Sequence, residues 1–138
     1  MNLGHWITNE EITENTFGFI YCITNRINNK KYIGKKQIKR KLKKPPLKGK
    51  KRKRIMQVES DWRDYTGSSE KLNSDIEQYG KDNFTFEILK TCKSKAELSY
   101  FELKEQMVND VLLNELFYNG IINVRLNANA LKSIDKEQ

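Results

Sequence analysis

From Phe17 to Thr24 the chain is almost continuously apolar and rich in β-favouring residues, which predicts a buried strand. The polar stretch from Asn25 to Lys30, with its Asn28-Asn29 pair, predicts a turn, and Lys31-Tyr32-Ile33-Gly34 a second strand returning along the first. Facing residues of such a hairpin share a side of the sheet and alternate residues switch it. If Tyr21 lies nearly opposite Tyr32, both hydroxyls leave the same face. Cys22, next to Tyr21, then points to the other side, where packing is its natural role.

The later pattern alternates between helical and extended periods. Thr66-Gly67-Ser68-Ser69 reads as a turn supplying a serine N-cap, and Leu72, Ile76 and Tyr79 form an apolar helical stripe that stops at Gly80. Phe84, Phe86 and Ile88 alternate with Thr85, Glu87 and Leu89, giving a third strand. Ser94-Lys95-Ala96-Glu97 has the capping-box pattern and opens a helix expected to run to about Leu113. Leu98, Phe101, Val108 and Leu112 mark one apolar side of it, Tyr100, Leu103, Met107 and Val111 another, and Glu102 projects from between them. Ile121 to Leu126 is expected as a short strand or irregular segment. The fold class is therefore α/β (α+β): a small, three-stranded, mainly antiparallel sheet flanked by helices. Residues 1–16 read as an N-terminal extension, 17–126 as the domain and 127–138 as a loose tail.

Charge changes this picture most. The 138-residue chain carries a formal net charge of +8, yet between Lys35 and Arg54 thirteen of its twenty-six Lys and Arg residues occur with no acid. Outside that run thirteen bases face eighteen acids, so the remainder is net −5 (13 − 18). Charge concentrated in this way marks a site for a polyanion, and nucleic acid, most simply duplex DNA, is the expected partner. A disordered basic loop or a targeting patch is the plainer reading of the same run. Pro45-Pro46 end any helix begun at Lys35, and Gly49 among lysines suggests a flexible insertion over 35–54. Ile55 to Tyr65, with Trp62 and Tyr65 three apart, is expected to re-enter the core as a short helix or turn.

Composition removes other classes. The length suits one domain, and no apolar run is long enough for a membrane span. Residues 1–14 carry acids and lack a basic region followed by an apolar one, so they do not read as a signal peptide, and a cytoplasmic protein is expected. Cys22 and Cys92, seventy residues apart (92 − 22), match no zinc spacing, and the single His5 cannot complete a ligand set. A basic membrane-surface helix is disfavoured by the Pro45-Pro46 break.

The hairpin with Tyr21 and Tyr32, the tail Tyr32-Ile33-Gly34, the later Tyr79-Gly80-Lys81-Asp82-Asn83-Phe84 and a helix bearing Glu102 together resemble the GIY-YIG endonucleases, over roughly residues 17 to 124. The first tripeptide is Phe19-Ile20-Tyr21, with glycine one place earlier at Gly18. The resemblance implies a DNA endonuclease that hydrolyses phosphodiester bonds, in the setting of a compact phage or mobile-element enzyme, homing included, working in the host cytoplasm if phage-encoded. It implies Tyr21 as the base or relay activating water, with cationic neighbours lowering its pKa, and Tyr32 as the group positioning water or phosphate. Glu102 is implied as the ligand of one Mg²⁺ (or Mn²⁺), with Glu105 next in line and Glu97 competing on the same helix. Asn119 is implied to close the site by hydrogen bonding, with Asn123 as fallback. For the phosphate-clamping arginine, Arg40 lies nearest the expected place, with Arg54 and Arg63 as alternatives. Lys35 and Lys36 stand at the mouth of the site, and Lys50, Lys51, Arg52, Lys53 and Arg54 join Arg40 and Arg63 as DNA contacts, on the backbone or in a groove. A monomer or weak homodimer is expected. The alternative is a non-catalytic nucleic-acid-binding protein that keeps the nuclease fold.

Overall fold

The structure, a computed structural model, describes residues 1–134; the last four positions of the expected tail, 135–138, lie outside the described residues. Its strands are β1 (Trp6–Ile7), β2 (Gly18–Asn25), β3 (Lys31–Gln37), β4 (Lys39–Lys44), β5 (Arg54–Glu59) and β6 (Phe84–Cys92), and its helices α1 (Glu70–Tyr79) and α2 (Lys95–Val108). The main sheet has the order β1-β6-β2-β3. β2 runs antiparallel to both neighbours, while β1 joins β6 in parallel. The sheet thus has four strands where three were expected. The extra strand comes from the segment read as an extension: Trp6 is buried, and its indole N–H donates to the Trp62 carbonyl at 2.6 Å.

β2 is buried on both faces, which is why it reads as a continuous apolar run rather than an alternating one. On one face Phe19, Tyr21 and Ile23 pack with Trp6, Trp62, Phe86 and Ile88 and with Leu72 of α1. On the other, Ile20 and Cys22 pack with Ile33, Cys92, and Leu98 and Phe101 of α2. A bulge in β6 makes this division possible: Ile20 pairs with Lys90 but Tyr21 with Ile88, leaving Leu89 without an opposite number. The extra residue switches sides, so Phe86 and Ile88 face the tyrosines while Cys92 lies on the α2 side. Both cysteines are buried free thiols.

The helices begin where serine caps were expected. Ser69 accepts from the Leu72 N–H at 3.2 Å and Ser94 from the Glu97 N–H at 3.1 Å. Helix α2 stops at Val108 instead of about Leu113. Asn109 turns its amide back onto the Glu105 carbonyl at 2.8 Å, and Asp110 takes a left-handed φ of 50°, which cannot continue a helix.

The basic run differs most from expectation. It forms no helix and is loop only over 45–53: β3 continues to Gln37, and β4 pairs with β5 from Lys39↔Glu59 to Lys44↔Arg54 as a separate two-stranded ribbon. The Pro45-Pro46 pair sits at the start of the connecting loop, where the ladder ends. Ile55 to Tyr65 accordingly divides between β5 and a 3-10 turn at Trp62–Asp64 rather than forming a helix. Ile121 to Leu126 is irregular, and Ile134 in the tail packs against the cluster under α2.

The outer edge of β3 is closed by side chains and by the chain after α2. Lys31 donates to the Leu116 carbonyl and accepts from Tyr118, at 2.8 and 2.7 Å. Asn119, buried, uses both ends of its amide on Ile33, accepting from its N–H at 3.1 Å and donating to its carbonyl at 2.8 Å. Gln106 of α2 adds a second donor to that carbonyl at 3.1 Å. Asn119→Ala strips the pair from a buried edge and is expected to cost about 1–3 kcal/mol in urea denaturation. A loss below about 0.5 kcal/mol would show that the edge does not depend on it.

Candidate active site

The two hairpin tyrosines share a face, but not as a facing pair. Tyr21 lies opposite Gly34, and Tyr32 opposite Ile23, so the phenols are diagonal neighbours with ring centroids 6.1 Å apart. That offset explains the glycine. A Cβ on Gly34 would stand 2.5 Å from Tyr21 Oη and 2.7 Å from its Cζ, so the ring end of Tyr21 rests on bare backbone. Gly67, at a φ of 85°, closes from the turn before α1, where a Cβ would come within 3.2 Å of the same oxygen. Tyr21 Oη is thus held between two glycines, and Tyr32 Oη meets Ser68 Oγ at 3.1 Å.

A third phenol, Tyr65, completes the group. Its ring centroid is 6.1 Å from that of Tyr21, the two rings meeting edge to face, and Lys36 Nζ lies 4.0 Å over its own face. Lys36 is itself ion-paired with Asp61 at 2.7 Å. The N-terminal segment holds Tyr65 from behind, through His5 Nε2 and the Tyr65 carbonyl at 2.9 Å. By sequence Tyr65 reads only as a packing residue. Its spacing from Trp62 is a core signal, and what brings it to Tyr21 is the 3-10 turn before it, whose Trp62 packs against Phe19 of β2.

The electrostatics reverse one expectation. Burial first, then the neighbouring Tyr32, Tyr65 and Glu102, push the Tyr21 phenol well above its ordinary range. The two nearby lysines do not offset this, because Lys36 serves Asp61 and Tyr65 while Lys35 is turned to Glu102 and Ser99. Tyr21 is therefore a neutral phenol at pH 7, a donor and relay rather than a phenolate. Burial likewise raises Tyr65. His5 is drawn down to about 4, chiefly by burial and then by Lys81, so its ring is neutral and its Nε2–H donates to Tyr65. A histidine depressed in the fold stabilises it above the unfolded value of about 6.5 and loses that stability as pH falls towards 4. Discounted for its half-exposed ring, the loss is about 1 kcal/mol. In His5→Gln, unfolding free energies from urea titrations between pH 7 and 4 should fall by about 1 kcal/mol less than in wild type, and an unchanged fall would contradict it.

Glu102 reaches β3 from α2. Its carboxylate stands 3.8 Å from Lys35 Nζ, which also donates to Ser99 Oγ at 3.1 Å. Despite that ammonium, burial keeps the Glu102 pKa raised, so desolvation outweighs a long, half-exposed ion pair. An under-neutralised carboxylate at the edge of the tyrosine group suits a hard divalent cation that keeps most of its water. Among the described residues no cluster of three or more His, Cys, Asp or Glu forms. Glu105 instead turns to Asn109 at the helix end, 3.3 Å away, and Glu97 sits in the first turn of α2.

The arginines are dispersed. Arg63 donates to the Asn2 carbonyl at 2.7 Å, pairs with Glu59 at 2.5 Å and stacks on Trp62, so it is held within the fold. Arg54 bonds the Pro45 carbonyl at 3.3 Å at the far end of the ribbon. Arg40 is exposed on β4, opposite Val58 of β5. Asn123 is exposed, whereas Asn119 is committed to Ile33 and orients the strand between Tyr32 and Gly34. Tyr118 Oη donates to Asp75 of α1 at 2.7 Å and accepts from Asn25 at 3.1 Å, which fixes the segment carrying Asn119. No helix among the described residues is long and apolar enough to cross a membrane.

A family model described as "Putative endonuclease segE, GIY-YIG domain" matches residues 4–122. A protein of Enterobacteria phage T4 described as "Putative endonuclease segE" is 30% identical over 104 residues, which is 75% of this chain. The chain spans 40% of the length of that relative. No solved structure matches the chain.

Proposed function

Because the chain belongs to the GIY-YIG endonuclease family, we propose that it is a metal-dependent endonuclease that hydrolyses phosphodiester bonds in duplex DNA, of the phage or mobile-element type. The observation that carries this reading is the meeting of Tyr21, Tyr32 and Tyr65 over Gly34, with Glu102 at the adjacent strand edge. In hydrolysis water attacks phosphorus, the bond to a sugar oxygen breaks, and that oxygen gains a proton. Tyr32, the most exposed hydroxyl of the hairpin pair and braced by Ser68, orients the water or a phosphate oxygen. Tyr21 and Tyr65, neutral phenols packed edge to face, relay the displaced proton. A cation held by Glu102, Mg²⁺ or Mn²⁺, would neutralise charge on the phosphate oxygens and make bound water more acidic. Lys35 and Lys36 flank the site on opposite faces of β3 and meet the phosphates at its mouth. Arg40 is the arginine we assign to the scissile phosphate.

The first test is purified protein with supercoiled plasmid and Mg²⁺ at low salt, beside an EDTA control. Nicked or linear products that need the metal support the reading. A folded protein that retards DNA but leaves duplex, branched and single-stranded substrates intact would be a binding protein on the same fold.

The ribbon and its loop supply the electrostatic grip. Replacing Lys50, Lys51, Arg52, Lys53 and Arg54 by glutamine should lower the slope of log affinity against log salt by as much as about 4, at roughly 0.9 for each phosphate no longer neutralised. A slope unchanged within error would place the DNA elsewhere.

A further inference from the structure

The basic run is a ribbon, and a ribbon has two different faces. The β4–β5 register puts Arg40↔Val58, Leu42↔Met56 and Lys44↔Arg54 on one side and Lys39↔Glu59, Lys41↔Gln57 and Lys43↔Ile55 on the other. The second face is tied down at its base, where Lys39 bonds the Glu14 carbonyl and Glu59 is taken up by Trp62 and Arg63. The first has no acid. Its centre is apolar, its ends are cationic, and its strand β4 follows directly from β3, which carries Tyr32 and Gly34.

Phosphates alone would not account for such a face. Counterion release needs only cations, whereas Met56 remains 41% exposed between Arg40 on one side and Lys44 and Arg54 on the other. An apolar strip flanked by Arg and Lys complements base edges, where thymine methyls offer apolar contact and guanine offers paired acceptors. The dimensions agree: six residues per strand extend about 20 Å, and a major groove about 12 Å wide admits a two-stranded ribbon. A second copy of the chain could instead pair along the open edges of β4 and β5, but lysines along both copies would oppose that contact.

Resting on the nuclease reading for its substrate, we infer that the β4–β5 ribbon enters the DNA major groove with Leu42, Lys44, Arg54 and Met56 against the base edges, while Arg40 at its base stays with the scissile phosphate. The ribbon thereby selects which phosphate reaches the tyrosines.

The test is a binding measurement in EDTA at about 150 mM salt, so that it does not depend on cleavage. Three versions of one duplex are compared: unmodified, carrying 5-propynylpyrimidines whose neutral bulk fills the major groove, and with netropsin occupying the minor groove. Wild type should lose at least tenfold in affinity to the first modification and less than twofold to netropsin. In Leu42→Ser/Met56→Ser, changes on a ribbon outside the core, the propynyl effect should shrink to less than threefold. Equal sensitivity to both blocks, loss to netropsin alone, no duplex binding, or a DNA-free dimer that dissociates in the double variant would each overturn the inference. A protein that cuts DNA but ignores the major groove fails here alone. One that binds in the groove and never cuts fails only as a nuclease.

Discussion

Glu102→Ala should reduce plasmid cleavage by about 10³-fold or more while leaving DNA affinity within about twofold of wild type. The size follows from the several kcal/mol that a positioned divalent cation contributes to charge neutralisation at phosphorus, at one decade per 1.36 kcal/mol. Affinity is spared because Glu102 is an acid facing a polyanion, and its removal takes away no phosphate contact. Folding should be spared too, for a reason visible in its environment. Burial raises its pKa in the fold despite Lys35, so the ionised carboxylate opposes folding above the unfolded value of about 4.5, and this penalty disappears as pH falls below that value. Glu102→Gln should therefore be as stable as wild type or more so at pH 7, and still inactive. Single-turnover cleavage and urea denaturation on the same preparations give both numbers. Cleavage within tenfold of wild type would remove Glu102 from the metal site, and marked destabilisation would make it a structural residue.

Gly34→Ala is expected to reduce cleavage about 10²-fold with a stability loss of about 1–3 kcal/mol, although it adds one methyl group. The new Cβ would lie 2.5 Å from Tyr21 Oη, 2.7 Å from its Cζ and 3.0 Å from Tyr32 Cε1. Tyr21 cannot simply move aside. Gly67 closes the other side, Trp6 and Phe19 pack against its ring, and the residue is 1% exposed. The strain must therefore move the phenols from one another or push β3 off β2. Adding Tyr21→Phe removes the nearest contacting atom, so the double variant should recover part of the stability without recovering cleavage. Purely additive losses in that cycle would show that the glycine does not serve Tyr21.

Much of this site was legible in the sequence because its carriers obey local rules. The buried run of β2, the serine caps of α1 and α2 and the stop at Gly80 are all short-range signals, and they place Tyr21, Tyr32 and Glu102 on the right elements. The remainder depended on distant partners. β1 is two residues long and has no period to detect; what fixes it is Trp6 reaching Trp62. The ribbon looked like a loop because lysine is depleted in β-structure, a bias drawn from sheets that bury a face. Here both faces are largely solvated, so that penalty does not apply. The Tyr21↔Gly34 register depends on where the turn closes, and a shift of two residues preserves the face while changing every partner. Asn119 lies in a pair that also reads as a turn, and only its contacts with Ile33 reveal its use.

The base of the ribbon is anchored independently of its length. Ile38 is buried, its N–H donates to the Phe17 carbonyl at 2.8 Å, its carbonyl accepts from the Ser60 N–H at 2.7 Å, and Trp62 seals the core just beyond. Everything between Ile38 and Ser60 therefore hangs from a closed clasp. Such a joint makes the arm interchangeable: a shorter turn, or a ribbon with another side-chain pattern, can be set into it while the hairpin with Tyr21, Tyr32 and Gly34 keeps its register. On the proposed reading, target preference is then open to redirection by grafting a new arm, without rebuilding the tyrosine site.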